Sequence, residues 1–181
     1  MKRNLITSAI AVVMFTLVLG LAYPLVVTGV AQVTFGDNAD GNPDLIAKDT
    51  KADPRYFQPR PSQTEYDPEA TFFSNRGPNS SAARSFYRDQ LAAYIALNGQ
   101  YNPGLTNDKV PADAVTTSGS GVDPHISAQN AAIQARRVAA VRGIAPERVD
   151  ELVEQATDGR FLGLFGEPGV NTTKLNEALD R

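Results

Sequence analysis

The stretch in which residue types and spacing could do chemistry is Ser118-Gly119-Ser120-Gly121, followed by Asp123 and the chain's only histidine, His125. A Gly-x-Gly loop between an extended run and a helix can cradle a phosphate, because the free N–H groups of a helix start and their positive potential face the anion. Ser118 and Ser120 would add hydroxyl ligands. The lysine and spacing of a P-loop are missing, however, and a tight turn that needs a glycine at positive φ accounts for the same residues. His125 beside Asp123, with either serine as nucleophile, would make a fragment of a catalytic triad. Triads converge from separate parts of a fold, so the expectation is that Asp123 accepts backbone bonds in the turn and His125 fills the helix entry. One histidine and no cysteine leave no credible metal-ligand set.

Further along the same helix lie Gln134, a neutral hydrogen-bonding group, and Arg136, Arg137 and Arg142, a basic side that reads first as a solvated face and second as an anion contact. The helix itself is expected from Ser127, a good N-cap, to Arg142, with Ala131, Ala135, Val138 and Val141 as its apolar stripe and Gly143 as its stop. Upstream, Val110 to Thr117 predicts a strand, interrupted by Pro111 at its start. Downstream, Pro146 at a first helical position opens another helix with Val149, Leu152, Val153 and Ala156 on one face. A glycine-rich turn over Phe161 to Gly166 and a rigid Glu167-Pro168 turn precede a final helix, capped by Asn171, that buries Leu175 and Leu179.

The earlier part of the chain frames this region. Residues 36–81 are rich in Asp, Asn, Pro, Ser and Gly and predict loops with short strands, pinned by Tyr56, Phe57, Tyr66, Phe72 and Phe73. A helix follows from Ser81 to Leu97, with Ala83, Tyr87, Leu91, Tyr94 and Ile95 as its stripe and Asn98-Gly99 as its stop. Before all of this, residues 4–36 carry no charge, and residues 5–33 are apolar for long enough to cross a bilayer. Lys2 and Arg3 precede the span while Asp37 and Asp40 follow it, which predicts a cytoplasmic N-terminus and an external domain. A cleaved signal peptide, cut near Gly20-Leu21-Ala22, is the rival reading, although the apolar run continues past that point. Within the span Thr16, Gly20, Pro24 and Thr28 recur every four residues, a strip of small or non-bulky positions at which a second membrane helix could pack closely.

The expected organisation is therefore a cytoplasmic stub at 1–4, a single N-terminal transmembrane helix at 5–33 and one α+β extracytoplasmic domain at 34–181. Beyond the span, 15 basic residues face 20 acidic ones, and no basic stripe invites a nucleic acid. The phosphorylation signature Asp-Lys-Thr-Gly-Thr of P-type ATPases is absent.

Several motifs occur in a fixed order: Tyr23-Pro24-Leu25-Val26-Val27-Thr28-Gly29, Tyr56-Phe57 with Arg60-Pro61-Ser62, Ser74-Asn75-Arg76-Gly77-Pro78, Thr117 to Ser127, Arg137-Val138-Ala139, and Gly166-Glu167-Pro168 with Val170-Asn171 and Lys174-Leu175-Asn176. Together they resemble the KdpC family, small subunits of the bacterial Kdp high-affinity potassium-transporting P-type ATPase. The resemblance implies a non-catalytic subunit at the cell membrane, partnered by a P-type pump subunit and a channel-like potassium-binding subunit. It further implies a catalytic chaperone that raises the pump's affinity for ATP, with Gln134 linked to nucleotide contact; the Ser118, Gly119, Ser120 and Gly121 loop beside it is a candidate contact for ATP or a partner. Phe72-Phe73, Asn79-Ser80, Ala128 and Gly169 depart from the family's usual residues. The charge bias favours an external domain, whereas ATP is cytosolic, so a cap over the potassium entry without nucleotide contact stands as the alternative. A secreted binding domain released by signal cleavage is a minor one.

Overall fold

A computed structural model describes residues 2–36, 41–70, 72–160 and 162–181. Asp37 and Asp40, used above for orientation, and Phe161, part of the expected turn, lie outside these. The chain divides into two units, Met1–Asn42 and Pro43–Arg181.

The first unit is one helical rod, α1 (Lys2–Leu17) and α2 (Tyr23–Phe35), joined by a wider π turn at Val18–Ala22. The whole helix, Lys2–Phe35, is long and apolar enough to cross a membrane. Two of its hydroxyls bond back along the helix, Thr7 Oγ1 donating to the Arg3 carbonyl and Thr34 Oγ1 to that of Val30. The π turn is marked by the Tyr23 N–H bonding five residues back to the Val18 carbonyl. It sits immediately before Pro24, whose ring would press on a normal α turn.

The second unit mixes helices with a small sheet: α3 (Ser81–Asn98), β1 (His125–Ile126), α4 (Ala128–Arg142), α5 (Pro146–Gln155), β2 (Thr157–Asp158), β3 (Gly169–Asn171) and α6 (Thr172–Leu179). The strands pair antiparallel in the order β1-β3-β2, with Ile126 opposite Val170 and Thr157 opposite Val170 across the middle. The core gathers Phe57, Ile126, Ala131, Ala135, Val138, Val149, Leu152, Val170 and Leu175 around α4. Small residues on α4 let its neighbours approach, and α5 packs along it. Truncating Phe57, which is wholly buried, would cost about 3–5 kcal/mol by the usual scale for core aromatics.

Local signals placed the helix ends well. Ser80 caps α3 by accepting from Ala83 N, Ser127 caps α4 by accepting from Asn130 N, and Asn171 caps α6 by accepting from Thr173 and Lys174 N. The strand expected over 110–117 is absent. Short 3₁₀ turns at Asn107–Lys109 and Ala112–Ala114 occupy this region, and the Val115 and Thr116 N–H groups both bond back to the Ala112 carbonyl. The β-branched preference of Val115, Thr116 and Thr117 yields to this curl, which Pro111 opens with its fixed φ. No strand occurs among the described residues of 36–81, because that segment is held by side chains rather than by a ladder. Of its aromatics Phe57 is buried and Tyr56 and Tyr66 are half-buried, but Phe72 and Phe73 are exposed instead of pinning the loop.

Candidate functional site

The Ser118 to Gly121 loop is not at a helix start. β1 separates it from α4, and the loop instead docks on the proline-rich segment 60–64. Ser118 N–H donates to the Pro61 carbonyl at 3.2 Å, and Ser62 Oγ donates to the Gly121 carbonyl at 2.7 Å. Arg60 reaches the Thr117 carbonyl at 3.0 Å. Gly121 has φ +80° and a Cβ there would stand 2.6 Å from Thr64 Oγ1, so conformation and space both demand glycine. Gly119 has neither constraint. Ser118 is buried, while Gly119 and Ser120 are exposed, and Ser120 Oγ accepts from Val122 N.

The start of α4, the end of a helix that attracts anions, holds a carboxylate from the chain itself. Asp113 accepts from Ser127 N at 2.8 Å, Ser127 Oγ at 2.9 Å and Asn130 Nδ2 at 3.0 Å. It thereby complements the positive end of the helix. Nothing in the local sequence marked Asp113 for this, since its partners lie 14 and 17 residues away.

His125 lies between two carboxylates and forms no triad. Nδ1 is 3.1 Å from Asp123 Oδ1, and Nε2, the nitrogen that would serve a nucleophile, is 2.8 Å from Asp158 Oδ2. Asp123 also accepts the His125 N–H, as expected for the turn. The reach to Asp158 depends on the middle strand, for the His125 ring passes over Gly169, where a Cβ would meet His125 Cβ at 3.2 Å. The His125 bond, with Lys174 nearby, holds the Asp158 carboxyl below its ordinary range.

A polar network runs along one face of α4 through Asn130, Gln134 and Arg137, spaced at i, i+4 and i+7. Gln134 Oε1 accepts from Gln58 N at 2.7 Å and from Arg137 Nη2 at 2.8 Å. Its Nε2 donates to the Gln58 carbonyl at 3.0 Å and to Asn130 Oδ1 at 2.9 Å. All four hydrogen-bonding positions of the amide are therefore filled. Asn130 also accepts from Tyr94 Oη at 2.9 Å, and burial pushes that phenol well above its normal pKa.

The expected solvated basic face therefore holds only at Arg136. Arg137 is wholly buried. Its Nη2 donates to the Tyr56 carbonyl at 2.9 Å as well as to Gln134, while Nε and Nη1 have no hydrogen-bond partner. Burial lowers its pKa to about 10. Through Gln134 and Asn130 the network connects this cation to the Asp113 anion. The polar i, i+4, i+7 row was present in the sequence and could have been recognised as a buried stripe. Arg142 is half-buried, bonded to the Arg55 and Leu179 carbonyls and to Asp180 at 2.8 Å, with its guanidinium 4.7 Å from the Tyr56 ring centroid.

Beside this network a cleft of about 500 Å³ opens between α3 and the proline-rich segment. Pro59, Pro61, Tyr94 and Leu97 give it apolar walls, with Gln134 at the side. Among the described lining residues Asp49 is the one carboxylate and none is Lys or Arg. It suits an apolar or neutral group better than a chain of phosphates, which calls for cations or free N–H groups.

The family model described as "KdpC: K+-transporting ATPase, c chain" matches residues 5–181. The chain belongs to the KdpC family. It is 44% identical to the potassium-transporting ATPase KdpC subunit of Caldanaerobacter subterraneus subsp. tengcongensis, over 91% of this chain and 88% of that relative. The KdpC subunit of Gloeobacter violaceus is likewise 44% identical, over 89% and 87%. That of Mycobacterium tuberculosis (strain ATCC 25618 / H37Rv) is 41% identical over the full length of both. Within this KdpC-family chain, Gln134 and the Ser118 to Gly121 loop, the residues singled out for contact, fall in different places. The amide faces the buried network and the cleft, while the loop lies against segment 60–64.

In the apolar N-terminal helix, positions four apart drift by about 40° per step, or roughly 120° from Thr16 to Thr28. The π turn between them accommodates one extra residue and takes back about 100° of that drift. Thr16, Gly20, Pro24 and Thr28 are thereby brought closer to a single face. Thr16 Cγ2 lies 3.9 Å from where a Cβ on Gly20 would stand, so the two positions are direct neighbours along it.

Proposed function

We propose that this chain is a non-catalytic subunit of a potassium-transporting P-type ATPase, anchored in the cell membrane by its N-terminal helix, with its folded unit on the extracytoplasmic side. Its work is assembly: it holds the pump subunit and the channel-like potassium-binding subunit together, and raises the pump's affinity for ATP through subunit contact. The observation that carries this reading is the saturated amide of Gln134. A side chain with all four hydrogen-bonding positions filled by its own fold serves as a structural brace, and a nucleotide would have to break that brace to use it. The self-docked glycine loop and a cleft with no Lys or Arg among its described lining residues point the same way.

Nucleotide titration tests this. The full chain alone should show no saturable ATP binding, while the assembled complex should bind ATP more tightly with the chain than without it. Saturable binding to the chain alone, abolished by Gln134→Ala with the fold intact, would return the reading to direct nucleotide contact.

The orientation rests on Lys2 and Arg3 before the span. The protein has no cysteine, so Ser120→Cys provides a single thiol at an exposed site. An impermeant maleimide should label it in intact cells. Labelling only after lysis would put the folded unit in the cytoplasm, within reach of ATP.

A further inference from the structure

The loop between β2 and β3 ends in an apolar tip. Leu162, Leu164 and Phe165 are 75%, 76% and 63% exposed. Three large apolar side chains within four positions form a concentrated patch, of the kind that marks a contact surface. The loop is built rather than slack. The β2–β3 pairing fixes its base, with Asp158 opposite Gly169. Arg160 closes the neck by donating to both carboxylate oxygens of Glu167, at 3.2 and 3.0 Å. Leu162 takes φ +53°, uncommon for a leucine and a further sign that the tip's shape is imposed.

The charges around this neck are used up within the chain. Arg160 pairs with Glu167 and Lys174 with Asp158. A loop that seeks a lipid surface combines apolar area with free cations for the headgroups. Among the described residues, the Arg and Lys at its neck, Arg160 and Lys174, are each paired with a carboxylate, on a chain whose residues beyond the span are acidic on balance. An uncharged apolar recess in a protein matches both the tip and its self-neutralised rim, and a preformed knob loses little freedom on entering it. We propose that the Leu162-Leu164-Phe165 tip is an anchor that seats in such a recess on another subunit of the same transporter. The inference rests on the assembly reading above and adds the surface through which the folded unit makes its contact.

The test is co-purification of the full chain with the other subunits of its transporter, captured in detergent by a tag on one of them. Leu162→Asn, Leu164→Ser and Phe165→Ser combined should reduce the retained chain by about tenfold or more, as loss of an anchor cluster does. Thermal unfolding of the variant chain by itself should match wild type, because the tip is exposed. Phe165→Ser alone serves if the triple variant unfolds. Undiminished retention of a folded variant overturns the anchor and leaves the assembly reading standing. Failure of the wild-type chain to be retained overturns both. The chain has no tryptophan, so Phe165→Trp supplies one indole for the chain alone in phosphatidylcholine vesicles. Its emission should stay solvent-like and unquenched by brominated phosphatidylcholine. Quenching would put the tip in lipid and overturn the proposal.

Discussion

Gln134 and Gln58 are bonded in both directions. The Gln134 carbonyl oxygen takes the Gln58 N–H at 2.7 Å, and its amide nitrogen gives to the Gln58 carbonyl at 3.0 Å. A side chain on α4 thereby stands in for a β-strand neighbour, satisfying the backbone of a segment that has no ladder of its own. Together with Asn176, which bonds both backbone groups of Phe57, and Arg137, which bonds the Tyr56 carbonyl, Gln134 holds the loop over residues 56–60 and with it one wall of the cleft.

Replacing Gln134 by Ala should therefore cost stability as well as any activity. It strands the Gln58 backbone and removes one of the two bonds of the Arg137 guanidinium. A loss of about 2–4 kcal/mol is expected from buried groups left unpaired. Chemical denaturation of the full chain in detergent would measure it. An unchanged midpoint would mean that the brace is dispensable.

The two glycines of the loop should separate cleanly. Gly121→Ala combines a left-handed backbone with a Cβ 2.6 Å from Thr64 Oγ1, and should destabilise by about 1–3 kcal/mol. Gly119→Ala meets open space and should change stability by no more than about 0.5 kcal/mol. Equal effects in thermal melts would count against the turn described above.

Asp158 should contribute to acid sensitivity. Its folded-state carboxyl is held below the ordinary value of 3.8, so in the acid range the unfolded chain binds the proton more readily. The resulting stability is present above about pH 4 and is lost as pH falls through the folded-state value. Asp158→Asn should flatten the acid limb of a stability-against-pH curve while lowering its neutral plateau. A variant whose acid limb keeps the wild-type slope would show that His125 and Lys174 do not hold this carboxylate in solution.

Thr16→Leu with Gly20→Leu should weaken retention of the chain by its membrane partners while leaving the melting of the folded unit unchanged. Both positions lie on the face that the π turn helps to align, and bulk there keeps helix backbones apart. Co-purification equal to wild type would remove this face from the assembly.

What the sequence by itself determined was local or cumulative. Ser127, Gly143, Pro146 and Asn171 bound their helices because capping acts over three or four residues, and the 34-residue apolar helix needs only composition to be recognised. Family membership was legible for the same additive reason, as several short motifs in order. The tertiary structure alone decided what each polar group faces. Asp113 reaches Ser127 from 14 residues away, His125 reaches Asp158 across 33, and Gln134 reaches Gln58 across 76. Arg137, which reads as a solvated charge on a helix, is buried because the segment around Tyr56 folds over it. The run from Val110 to Thr117 has the propensity of a strand and no partner to pair with, so it curls into turns. A hydrogen bond needs its two ends in one place, and only the closed chain decides which ends meet.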